Sequence, residues 1–186
     1  MEIRRARTED YAGILDLQAA NYSGNLSPAQ RAGGFLSAEF TPAQIAAIAQ
    51  DLGIVVAAES GGIVGYLCAH RADIAPLPPV VEAMLRRCST ARYRERVLGE
   101  TRLFVYGPVC IARDKRGGGL LRALYRALRA SVAGRFDYGV TLVAEANPHS
   151  LRAHTQGLGM DDVGVFEHGE RTYHLLAFEA DSKAGS

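Results

Sequence analysis

Three consecutive glycines, Gly117, Gly118 and Gly119, stand between a strand-like run ending Val109-Cys-Ile-Ala112 and an amphipathic helix opening with Leu120-Leu-Arg-Ala-Leu124. Few local structures accept that order. Glycine lets the backbone turn sharply and approach a ligand unobstructed, and the first N–H groups of the helix then point outward with the positive end of its dipole. A strand, a glycine turn and a helix start together form a binding place for a phosphate. Two familiar phosphate loops are excluded by spacing. A P-loop ends in Gly-Lys-Ser/Thr, whereas Leu120 and Leu121 follow Gly119; a dinucleotide fingerprint needs a third glycine where Arg122 stands, near the start of a βαβ unit.

The remaining pattern, Arg116-x-x-Gly119-x-Leu121, resembles the acyl-CoA loop of the GNAT superfamily of N-acetyltransferases, Arg/Gln-x-x-Gly-x-Gly/Ala, with Leu121 at a position where the family has a small residue. A helix residue can turn its side chain to the sheet while its N–H faces a ligand. A second segment strengthens the likeness. Asn147-Pro-His-Ser150-x-x-Ala-His154, followed by Leu158-Gly159-Met160, looks like the family stretch Asn-x-x-Ser/Ala-x-x-x-Tyr/His before Leu-Gly-Phe, with Gly157 adding one residue and Met replacing Phe. The resemblance spans nearly the whole chain. It implies an α/β (α+β) acyl-CoA N-acyltransferase fold: a mixed, mostly antiparallel sheet of about seven strands, helices on both faces, splayed between strands 4 and 5.

Composition agrees with a globular chain. At 186 residues, 48% hydrophobic and 22% charged, the length suits one domain, here residues 1–181, with a frayed tail at 182–186. The net charge of +1 argues against a broad nucleic-acid surface, and the lack of an apolar run of about 18 residues argues against a membrane span. Cys68, Cys88 and Cys110 show no metal or disulfide spacing, so a cytoplasmic protein with reduced thiols and no metal is expected. A homodimer through an edge strand or the arginine-bearing insertion is compatible with the chain.

Elements follow from periodicity and turn residues. Ile3–Ala6 reads as a strand; Thr8 caps a helix carrying Ile14, Leu15 and Leu17; Thr41-Pro42 opens another with Ile45 and Ile48. Gly53–Ala58 and Ile63–Ala69 form a hairpin through Glu-Ser-Gly-Gly, and a helix in the 73–99 segment carries Val80, Val81, Met84, Leu85 and Cys88. The fourth strand spans 102–112 with a bulge or bend at Gly107-Pro108; the fifth spans 138–146; a last hairpin turns at His168-Gly169. Leu120, Leu121, Leu124 and Leu128 are expected to bury one helix face.

The resemblance assigns acetyl-CoA as the cofactor and an amine as the acceptor. Val109, Cys110 and Ile111 would border the pantetheine arm as a strand borders its neighbour. N–H groups of Gly117, Gly118, Gly119, Leu120, Leu121 and Arg122 would take the diphosphate, with Arg116 and Arg122 adding charge and Asn147 serving both as cap and as cofactor contact. His154 matches the family's proton donor; Glu145, Tyr106 and Glu39 are the candidate bases; Cys110 reads as inert packing. Tyr22, Phe35 and Glu39, in the variable segment, are the acceptor-recognition candidates, Glu39 for a cationic group. A non-catalytic acyl-CoA sensor or assembly module is the competing reading.

Overall fold

Alternation of buried side chains along the β-rich runs separates two packing faces, and helices cover both. The computed structural model describes residues 1–181, so the 182–186 tail lies outside the described residues. Strands β1 (Glu2–Arg5), β2 (Gly53–Glu59), β3 (Gly62–Arg71), β4 (Leu103–Ile111), β5 (Tyr138–Ala144), β6 (Asp161–His168) and β7 (Arg171–Glu179) form one sheet in the order β1-β2-β3-β4-β5-β7-β6. All neighbours are antiparallel except β4 and β5. The helices are α1 (Tyr11–Ala19), α2 (Pro28–Arg31), α3 (Pro42–Gln50), α4 (Pro79–Cys88), α5 (Leu120–Val132) and α6 (Pro148–Arg152), the last continuing as a π-helical turn, Ala153–Gly157.

On β3, Tyr66 and Cys68 join Ile14, Ile45, Ile48 and Met84 in the core beneath α1, α3 and α4. The alternate residues Leu67 and Ala69 join Leu120, Leu124 and Leu128 of α5 with Phe104 and Tyr106 of β4. Two details depart from the sequence reading. Asp10, not Thr8, fastens the start of α1: its carboxylate takes two bonds from Arg4, at 2.6 and 2.9 Å, and one from the Arg7 N–H at 2.7 Å. Leu121 is only half-buried, because it lines an open cleft instead of joining Leu120 and Leu124 in the core. Thr41 caps α3 as expected, its hydroxyl accepting from Gln44 N–H at 3.2 Å while Gln44 reaches back to the Thr41 N–H at 2.8 Å.

The feature that positions a site is the fork in the sheet. β4 and β5 pair only from Leu103 to Val105 against Tyr138 to Val140. Register against β3 then slips between Leu67↔Val109 and Ala69↔Tyr106, which places the bulge at Gly107-Pro108. Beyond it β4 follows β3 while β5 follows β7, and the two part.

Candidate active site

The fork opens on two connected spaces. The first, of about 1100 Å³, runs over Val109, Cys110 and Ile111, past Gly117 and Gly119, between the start of α5 and the segment from His149 to Leu158. The second, smaller and open to solvent, lies on the α4 side, over Val105 to Val109 and Thr141 to Ala144. Phe35, Leu36, Val109, Ser150 and His154 border both, so the two meet where the strands part.

The glycine loop has the geometry of an anion cradle. Gly117 and Gly119 take φ of +79° and +82°, a region closed to most side chains, and a Cβ at either would find no heavy atom within 4 Å. Gly119 is the N-cap of α5 and offers no capping side chain. Among the described residues, no backbone N–H from Gly117 to Arg122 donates to another group. Those donors stand at the positive end of a 13-residue helix, where the physics favours an anion. Acyl-CoA, whose diphosphate and extended amide arm need such a cradle beside an unpaired strand edge, fits the residues present.

The cationic side chains divide unequally. The Arg116 guanidinium is half-buried and tied down by Ile111 O at 3.0 Å, Gly34 O at 3.4 Å, Asn21 Oδ1 at 2.8 Å and Gly33 O. It braces the loop against the Gly33–Gly34 segment and also lines the cleft. Arg122 is exposed on the cleft wall and donates to Gly157 O at 2.9 Å, bridging the two banks. Lys115, absent from the sequence expectations, lines the cleft with its Nζ 2.7 Å from Glu59 Oε2. Only its helix-preceding position could have signalled it.

His154 sits at the junction, buried. Its Nδ1 lies 2.7 Å from Ser150 O, an acceptor only, so the ring proton is on Nδ1. Nε2 then accepts from the Tyr106 hydroxyl at 3.2 Å. Burial holds the imidazole below its ordinary value and the Tyr106 phenol well above its own. Burial and these two contacts therefore favour the uncharged ring with both nitrogens engaged, whereas the sequence reading cast His154 as a proton donor. Tyr106, a candidate base in the sequence reading, is fully buried with its hydroxyl on His154.

Other expectations place unevenly. Cys110 borders the cleft with its thiol pushed up to about 12 by burial, in keeping with inert packing. Leu120 turns into the core and Leu121 lines the cleft; Gly118 lies outside the lining residues. Asn147 caps α6 by accepting from Ser150 N–H at 3.2 Å and donates to Phe35 O at 2.8 Å. Its amide holds the segment bearing Phe35 and borders the second space, not the first. Phe35 borders both spaces. Tyr22, Glu39 and Glu145 border neither space: Tyr22 packs over Gly24, and both glutamates are exposed. Sequence reading missed Thr141 and the α4 residues Val80, Val81 and Met84, all of which line the second space. Their apolar spacing signals only burial, not what they are buried around.

No family model matches the sequence, and no curated protein matches it. Solved structures match throughout. A GNAT-family acetyltransferase from Streptococcus agalactiae 2603 superposes with a TM-score of 0.69 at 13% identity, covering 97% of this chain and 96% of that one. An N-acetyltransferase from Staphylococcus aureus Mu50 gives 0.62 at 16% identity over 97% and 98%. A GNAT superfamily phosphinothricin acetyltransferase from Sinorhizobium meliloti, in complex with AcCoA, gives 0.61 at 17% identity over 96% and 87%.

Proposed function

We propose that this chain, which has the GNAT acetyltransferase fold, moves the acetyl group of acetyl-CoA directly to an amine. The observation that carries the reading is the run of undonated N–H groups from Gly117 to Arg122 at the mouth of a forked sheet. In this reading those groups hold the diphosphate, and the open edge of β4 from Val109 to Ile111 pairs with the pantetheine amides. Acetyl-CoA supplies an activated thioester, so the protein needs no nucleophile of its own. Cys110, buried and protonated, stays a spectator.

The residues at the junction position rather than titrate. Ser150 and Tyr106 fix the His154 ring from both sides, and Phe35, held by Asn147, closes the roof over the point where the two spaces join. In the net reaction an N–C bond replaces the S–C bond and one proton passes from nitrogen to sulfur. With His154 neutral and Glu145 outside the lining of both spaces, that proton travels through cleft water, and the amine enters already deprotonated.

Calorimetry with acetyl-CoA and thiol release in the presence of an amine panel test the proposal. Binding with thiol release is the expected outcome. Binding without release from any acceptor would leave the sensor reading in its place, and no binding would refute both.

A further inference from the structure

We infer that the acceptor is a weakly basic nitrogen on an apolar, uncharged body, an arylamine or aryl hydrazine, oriented by the Thr141 hydroxyl; this rests on the acyl-transfer reading above. The second space is lined by Val80, Val81 and Met84 of α4 and by Phe40, and every side chain that lines it is uncharged or, for His154, held neutral. Tyr106 from β4 and His154 are the titratable groups that face it. Glu39 before α3, Glu82, Arg86 and Arg87 on α4, and Glu145 after β5 all lie outside its lining.

Charge decides what such a space admits. An ammonium leaving water needs a carboxylate to offset its lost hydration, and the chamber holds none. An alkylamine titrates near lysine, at about 10.4, so only about one molecule in 2,500 is neutral at pH 7. An arylamine shares its lone pair with the ring and is neutral throughout that range. It also brings the flat apolar surface that the α4 wall accepts. Thr141 supplies the polar contact: it is buried in β5, and its Oγ1 faces Gly107 across the fork, where an added Cβ would lie 3.6 Å away. A hydroxyl there can accept from an N–H and carries no charge that would select a cation.

The experiment has two arms. Calorimetry with acetyl-CoA alone reports on the underlying reading; absence of binding overturns that reading and this inference with it. With binding in hand, CoA-saturated protein is titrated with 4-ethylaniline, 2-phenylethylamine and spermidine at pH 7 and pH 9. The arylamine is expected to bind equally at both pH values. Phenylethylamine should bind at least tenfold more weakly at pH 7 and gain tenfold or more by pH 9. Thr141→Val should weaken arylamine binding about fivefold, Thr141→Ser should restore it, and neither should move the acetyl-CoA Kd. Ser37→Asp, which adds a carboxylate at the half-exposed rim, should improve phenylethylamine binding at pH 7. The inference is overturned if either alkylamine binds at pH 7 as tightly as the arylamine, or if acetyl-CoA binds and no arylamine does.

Discussion

Replacing Gly119 by alanine separates the cost of the loop's shape from its use. Gly119 holds φ +82° and ψ 1° at the cap of α5, and the new methyl would meet no heavy atom within 4 Å. The free protein therefore carries dihedral strain alone, about 1–2 kcal/mol for an L-residue in the left-handed region. In a chain of this size that lowers Tm by roughly 2–8 °C. The methyl also projects where a diphosphate must approach the N–H groups, so acetyl-CoA Kd should rise at least tenfold, about 1.4 kcal/mol. Thermal melts with and without acetyl-CoA read both effects. At a concentration a hundredfold over the native Kd, the ligand adds about 2.7 kcal/mol to the native protein and about 1.4 kcal/mol to a variant bound tenfold more weakly. Gly134→Ala is the matched control, with φ +73° and equally open space, but distant from the cleft at the far end of α5. It should share the strain and keep the affinity. A folded Gly119→Ala protein with unaltered acetyl-CoA Kd would refute the idea that these amides grip the diphosphate.

Arg116→Lys removes the planar fork that reaches Ile111, Gly33, Gly34 and Asn21; urea midpoints should report a loss of about 2–3 kcal/mol, and limited proteolysis should gain a cut near Gly33–Gly34. Gly139→Ala drives a methyl to 2.3 Å from Phe178 Cζ and 2.7 Å from Phe104 Cζ, so a destabilisation of about 1–3 kcal/mol or more is expected, relieved in part by adding Phe178→Leu. Burial lowers both His154 and His70, the latter's Nε2 being buried without a hydrogen-bond partner among the described residues. The folded state thus resists protons that the unfolded chain takes up below the ordinary histidine value of 6.5. Stability should be full above that pH and fall as pH drops below it toward the lowered folded values, by up to about 1.4 kcal/mol per pH unit for each histidine. Urea midpoints at pH 7.5 and 5.5 check this, and a flat response between them would contradict the burial argument.

Local sequence carried the fold well because its signals are short-range. The glycine run, the Thr41-Pro42 cap and the Glu-Ser-Gly-Gly turn each act within a few residues, and Gly107-Pro108 marked the bulge because proline removes a ladder donor wherever it stands. The chemistry of the junction was less legible. Tyr106 and His154 are 48 residues apart, and nothing near either predicts that one hydroxyl will occupy the other's free nitrogen. Arg116 looked like a phosphate contact because a cation beside glycines faces a ligand or a carbonyl with equal ease, and the carbonyls of Gly33 and Gly34 lie 83 and 82 positions away in sequence. Glu39 and Glu145 had the right chemistry and sat beside the right elements, yet exposure turned both outward. Side-chain direction in irregular segments follows no period that a sequence displays.

A forked sheet has four free margins instead of two. The outer pair belongs to the four-residue β1 and to β6, which is interrupted by an irregular register between Asp162 and Val165, and both suit a protein that must not polymerise through its rims. The inner pair, β4 past Val105 and β5 past Val140, would template any extended chain that reached it. Bordered by Phe35 and the π-helical turn, that slot lies inside the fork, so the same unpaired backbone that would seed aggregation on an outer rim is there kept for an extended arm that can thread between the strands.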